Sequence, residues 1–131
     1  MGKIKKTDLE WKNLLDEETY NITRKSGTEM PFTGKYLHDK SKGTYNCICC
    51  GNPLFSSDSK FDSGSGWPSF FESINKNNII EVQDNSQGMS RTEIICASCD
   101  SHLGHVFNDG PKPTGLRYCV NSISLKKKKV E

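Results

Sequence analysis

The chain has 131 residues, a length that fits one domain, with 33% apolar residues and a formal net charge of +2. Globular chains usually carry roughly 45–50% apolar residues with glycine counted in, so the core is expected to be lean and to need a metal or disulfides. Four of the lysines form one run at 126–129 and the rest of the chain is close to neutral, which excludes the spread basic face of a nucleic-acid binder.

In chain order, the start Met1-Gly2-Lys3-Ile4-Lys5-Lys6 has no apolar core of a signal peptide, and Lys6 stands where a myristoylation signal needs Ser or Thr. No stretch approaches the roughly 18 apolar residues that span a bilayer. The chain is therefore expected in the cytoplasm, away from membranes, where thiols stay reduced and cysteines serve as ligands or catalysts. Thr7 and Glu10 have capping-box spacing and predict a helix with Leu9, Trp11, Leu14 and Leu15 as its apolar stripe, then a short turn over residues 16–20. Residues 26–34 read as an extended linker. From Lys35 on, short apolar runs at 45–47, 54–55, 79–82, 92–95, 106–107, 118–120 and 123–125 alternate with Gly, Pro, Asn, Asp and Ser, the texture of short strands and turns. Residues 126–131 read as a solvated basic tail. The whole chain, 1–131, is expected to be one domain with its core at about 9–125.

Cys47-x-x-Cys50-Gly51 and Cys96-x-x-Cys99 each have the spacing at which a tight turn brings two thiolates to one ion. Four soft anionic ligands suit zinc at a closed structural site. Paired thioredoxin-like redox motifs would need βαβ texture, which the sequence lacks. The 45 residues between the knuckles exceed an ordinary zinc ribbon, so the metal is expected to tie distant parts of the fold together. Cys49 is either an inert packed thiol or a competitor of Cys50 for the ion.

Cys119 lies in Arg117-Tyr118-Cys119-Val120-Asn121, which reads as a strand with Arg117, Cys119 and Asn121 on one face. A guanidinium beside a thiol favours the thiolate, the nucleophilic form. Asn121 is placed to donate to the sulfur or to a bound substrate. His102 and His105 follow the second knuckle, with Asp109 beyond them. His102 is either a proton-transfer group or a partner of the metal, and His38 reads as a surface residue. In Gly64-Ser65-Gly66-Trp67-Pro68-Ser69-Phe70-Phe71, the two phenylalanines read as core. Trp67 reads either as core or as a displayed pocket ring.

Together these motifs resemble the methionine-R-sulfoxide reductase (MsrB) family, from about residue 9 to residue 125. The resemblance rests on Thr28-Glu29, Pro31-Phe32-Thr33-Gly34, the 47–55 knuckle and the 64–70, 96–110 and 117–122 segments. It implies a mainly β fold of two small antiparallel sheets with short N-terminal helices, stapled by structural zinc on Cys47, Cys50, Cys96 and Cys99. It further implies Cys119 as nucleophile and an apolar slot of Trp67, His105 and Phe107 for the substrate methyl group. The residues that bind and polarise the sulfoxide oxygen would be His102, Asp109, Arg117 and Asn121. The substrates implied are oxidised proteins or peptides, or free methionine-R-sulfoxide, in protein repair under oxidative stress by a monomer.

One position departs from the pattern. Where many relatives carry a second, resolving cysteine, this chain has Ser65, which cannot condense with a sulfenic acid. Reduction by an external thiol such as thioredoxin, glutaredoxin or glutathione is expected instead, Cys49 being a weak internal candidate. A zinc-dependent binding module and a zinc hydrolase with an open site at His102 are the competing readings. Neither explains Cys119 together with Trp67.

Overall fold

A computed structural model of the chain describes residue 4 and residues 6–85 and 88–129; the rest of the N-terminal start and the last two residues of the expected tail lie outside the described residues. Helix α1 (Asp8–Leu14) starts where expected: Thr7 N–H donates to Glu10 Oε1 at 2.9 Å and Glu10 N–H to Thr7 Oγ1 at 3.1 Å. Its apolar stripe is narrower than expected. Trp11 is buried and Leu15 packs on the core, but Leu9 and Leu14 are 66% and 63% exposed, because so short a helix meets the body along one face only. The expected second turn is a full helix, α2 (Glu17–Arg24), capped by Asp16, which accepts from Thr19 N–H at 2.8 Å. Burial of Tyr20, Ile22 and Thr23 carries it past residue 20. At its end the Arg24 guanidinium covers the Trp11 ring at 4.5 Å and donates to the Cys99 carbonyl at 2.6 Å. The helices thereby clamp the second cysteine knuckle.

Among the described residues nine strands follow, β1 (Gly43–Cys47), β2 (Pro53–Ser56), β3 (Lys60–Phe61), β4 (Ser69–Phe70), β5 (Ile79–Asp84), β6 (Arg91–Cys96), β7 (His102–Phe107), β8 (Arg117–Val120) and β9 (Leu125–Lys129). They form two antiparallel sheets, β2-β1-β9 and β3-β4-β8-β7-β6-β5. Fully buried Tyr45, Phe55 and Phe70 contribute much of the core. Phe55 stacks on Phe70 at 4.4 Å, while Tyr45 meets Phe70 edge-on at 5.2 Å. Large aromatics compensate for the low apolar fraction, and Cys47, Cys96 and Cys99 belong to the same core.

Three sequence expectations need correction. Lysines 126–129 are not a solvated tail but strand β9, paired with β1 from Gly43↔Lys129 to Cys47↔Leu125. Alternation turns Lys127 inward, where its ammonium reaches Asp39 and the Ser41 carbonyl, the latter at 2.5 Å, and lies over the Tyr45 ring. Residues 122–124 form a 3₁₀ turn before β9, since Ile123 N–H is held by Glu29 Oε1 at 3.0 Å. The segment 26–34 is irregular, but it packs on the body: Glu29 is only 5% exposed and Phe32 N–H donates to the Gly66 carbonyl at 2.7 Å.

Candidate functional site

The two cysteine knuckles close in the same way. Gly51 N–H donates to the Cys47 carbonyl and Asp100 N–H to the Cys96 carbonyl, both at 2.8 Å. Both turns end in a left-handed residue, Gly51 at φ +81° and Asp100 at φ +64°. Their sulfurs converge within 4.8 Å of one another, with Cys47–Cys99 and Cys50–Cys96 each 3.6 Å apart. A tetrahedron with metal–sulfur bonds of about 2.3 Å has edges of about 3.8 Å, so the four thiolates fit one tetrahedral ion. Among the described residues neither Cys49 nor His102 belongs to that cluster.

Three residues beyond Cys99, β7 begins with His102. His102 and His105 are an odd number apart, and plain strand alternation would put them on opposite faces. A bulge opposes that: Ile94 pairs with Gly104 but Ile95 with His102, leaving Leu103 as the extra residue. Both imidazoles therefore line one cavity of about 280 Å³, together with Cys119, Arg117, Asn121, Trp67, Phe107, Ser65, Thr28, Arg91 and Gly104. Gly104 forms its floor, and any β-carbon there would overlap the Cys119 carbonyl oxygen.

Each ring is held by a carboxylate that the sequence reading did not single out. His102 Nδ1 lies 2.5 Å from Glu93 Oε2, and His105 Nε2 lies 2.9 Å from Asp84 Oδ2. Burial pushes the His102 pKa down and the Glu93 charge opposes it. No local motif announces these pairs, since they span 9 and 21 residues and depend on register. Glu29 is another hub. Its N–H donates to Asn121 Oδ1 and its carbonyl accepts from the Trp67 indole N–H, both at 3.0 Å. The indole bond holds half-buried Trp67 against the cavity, which its ring lines. Phe70 is core as expected, whereas Phe71 is only partly buried.

On β8 the expected alternation holds: Arg117 and Cys119 are partly exposed, while Tyr118 and Val120 are buried. Three details differ. Asn121 spends its amide on the carbonyls of Gly27 and Leu103 at 3.4 Å, bracing the bulge and the 26–34 segment, and no bond joins it to the sulfur. Asp109 is not among the described residues lining the cavity; it is 68% exposed and grips Arg117 from outside at 2.9 and 3.2 Å. Arg117 also stacks on Phe107 at 4.3 Å. Burial dominates at Cys119 and pushes its thiol above the ordinary value, against smaller downward effects of a Ser65 hydrogen bond and the Arg117 charge, so the expected push toward the thiolate is the weaker influence.

Ser65 Oγ stands 3.8 Å from Cys119 Sγ. A thiol, two carboxylate-held imidazoles and aromatic walls in one cavity suit attack on a small electrophile with an apolar group for the walls and a leaving atom that takes a proton.

The SelR domain model matches residues 15–129. Over 125 residues the chain is 59% identical to the peptide methionine sulfoxide reductase MsrB of Pseudomonas fluorescens, covering 95% of this chain and 96% of that protein. It is 61% identical to the protein of the same name from Pseudomonas putida, covering 95% and 94%. With the Acinetobacter baumannii MsrB the identity is 60% over all 131 residues and 94% of the relative.

Proposed function

The chain belongs to the SelR domain family and is a peptide methionine sulfoxide reductase; we propose that Cys119 is its nucleophile and the R epimer its substrate. In this reading the Cys119 thiolate attacks the sulfoxide sulfur, the oxygen is protonated, and the sulfur–oxygen bond breaks. Methionine sulfur is reduced by two electrons, and Cys119 is oxidised to the sulfenic acid that carries the oxygen. The His102–Glu93 pair is the proton source in its protonated form: Nδ1–H is given to the carboxylate, and Nε2–H is left to pass its proton to the oxygen. Trp67 and Phe107 wall the methyl group, with His105 beside Phe107 at 6.4 Å between ring centres. Arg117 borders the oxygen side, while Asp109 and Asn121 act through the groups they hold. An inverted sulfoxide would press its oxygen against the aromatic walls, which supports preference for one epimer.

Two external thiol groups, on one dithiol or on two monothiol molecules, return the sulfenic acid to the thiol and leave as a disulfide, with water released. Thioredoxin, glutaredoxin or glutathione would serve. The support is that a hydroxyl, Ser65, faces Cys119, and that half-buried Cys49 in the first knuckle does not line the cavity. Zinc is the ion assigned to Cys47, Cys50, Cys96 and Cys99, as a crosslink that fixes the start of β7. Oxidised proteins and peptides, with free methionine-R-sulfoxide, are the proposed substrates of a monomer repairing protein in the cytoplasm. Among the described residues no helix is long and apolar enough to cross a membrane.

The observation that carries this reading is the convergence of Cys119, both imidazoles and Trp67 on one cavity. After one turnover on methionine-R-sulfoxide without reductant, mass spectrometry should find Cys119 heavier by about 16 Da, one oxygen atom. No R-epimer reduction with dithiothreitol, or equal activity in Cys119→Ser, would overturn it.

A further inference from the structure

The hydroxyl beside Cys119 is the end of a chain. Ser65 Oγ lies 3.8 Å from Cys119 Sγ and 2.8 Å from Ser63 Oγ; Ser63 Oγ lies 2.7 Å from Ser69 Oγ. Ser69 Oγ in turn donates to the Trp67 carbonyl at 3.1 Å. Ser69 is buried and pairs with Cys119 across β4 and β8, so this far end is fixed in the sheet. Ser65 sits in a loop between Gly64 and Gly66, both at positive φ.

Each hydroxyl has one proton, and counting them fixes the order of the chain. The Trp67 carbonyl only accepts, so the Ser69 proton is committed to it. The Ser63 proton then goes to Ser69, and Ser63 has only lone pairs left for Ser65. With Cys119 as a thiol, the full set is satisfied when Ser65 donates to Ser63 and accepts the S–H. Removing the Cys119 proton leaves a negative sulfur with no proton to give. Ser65 then has two acceptors for one proton, Ser63 and the thiolate, and a charged acceptor forms the stronger bond. Ser63 tolerates the loss, because Ser65 N–H also donates to it at 3.2 Å.

We propose that Ser65 is a two-position hydroxyl switch, accepting from the resting Cys119 thiol and turning from Ser63 to donate to the thiolate, with Ser63 as the positioning residue that sets the balance. The switch deepens the reductase reading and rests on it for the choice of Cys119 as nucleophile. It gives a serine at this position a chemical task of its own, stabilising the attacking form of a buried thiol. The upward push of burial on Cys119 is what makes that task necessary.

The two serines then have opposite effects. Ser65→Ala deletes the donor and disfavours the thiolate. Ser63→Ala deletes the competing acceptor, frees the Ser65 proton for the sulfur and favours the thiolate. The experiment is the pH dependence of iodoacetamide alkylation at Cys119, read by peptide mass spectrometry on the full metal-loaded chain without substrate. Ser65→Ala should raise the alkylation midpoint by about one pH unit, about tenfold slower labelling below both midpoints. Ser63→Ala should lower the midpoint, the double variant should match Ser65→Ala alone, and Ser65→Thr should match the parent. An unmoved midpoint in Ser65→Ala overturns the proposal, as does an upward shift in Ser63→Ala or a Ser63→Ala effect that persists without Ser65. If Ser63→Ala does not fold, the Ser65 pair decides: equal shifts in Ala and Thr overturn the switch, and a shift in Ala alone supports it. Alkylation needs no sulfoxide. A chain that labels as expected yet reduces no methionine sulfoxide would keep the switch and lose the reductase reading.

Discussion

Replacing Ser65 by cysteine should give the enzyme an internal resolving thiol. The Ser65 oxygen is 3.8 Å from Cys119 Sγ, and a disulfide needs about 2.05 Å between sulfurs. The gap to close is roughly 1.7 Å, which a partial χ1 rotation at position 65 supplies. The loop is suited to it, since glycines flank position 65 on both sides. Once Cys119 is a sulfenic acid, the new thiol competes at an effective concentration on the order of mM against about 10 μM thioredoxin, so resolution should quicken about a hundredfold. After one turnover without reductant, Ser65→Cys should have lost two hydrogens to a disulfide between the introduced thiol and Cys119, where the parent has gained one oxygen. Thioredoxin-dependent turnover should rise with it. If the variant instead keeps the oxygen on Cys119, forms no bridge and turns over no faster, position 65 cannot act as a resolving site and the geometric reasoning fails.

Glu93→Gln should lower turnover about tenfold to a hundredfold with little change in KM, a share of the 10²–10⁴ worth of a positioned proton donor; an unchanged rate–pH profile would remove the pair from the mechanism. Because burial holds the Cys119 thiol above its ordinary value, its folded-state thiolate lags that of a free cysteine, and substrate-free alkylation should still be climbing at pH values where a model peptide has levelled off. Stripping the metal with a chelator should unfold the domain by circular dichroism, since ligand binding is folding free energy in so lean a core. Deleting 126–131 should cost about 2–4 kcal/mol in urea unfolding, from several ladder bonds at roughly 1 kcal/mol each; a solvated tail would cost nothing.

The elements read most easily from sequence are those with local signals. The α1 capping box is complete at the backbone level, both cysteine knuckles sit at their spacing, and the Arg117–Cys119 alternation survives in β8. What escapes a sequence reading depends on partners distant along the chain. The run of four lysines looks like a free tail until its pairing with β1 and the Asp39 carboxylate facing Lys127 are in place. The shared face of His102 and His105 follows from one extra residue at Leu103, and a bulge leaves no mark in a period-two pattern. Glu93 and Asp84 are acidic residues like many others until register sets them against imidazoles. Arg117 read alone overstates the thiolate, because burial of Cys119, the larger influence and an upward one, leaves no mark in the local sequence.

For anyone wishing to retailor this cavity to bulkier sulfoxides, Gly104 divides what can be changed from what cannot. The floor is backbone against backbone, with no room for a single added carbon above the Cys119 carbonyl. Libraries aimed at the floor would return unfolded protein. Those aimed at Trp67 and Phe107, whose side chains border the cavity, alter its width while leaving the strand pairing beneath Cys119 intact. Engineering scope here is set by the distance between two strands, and the walls alone are free to vary.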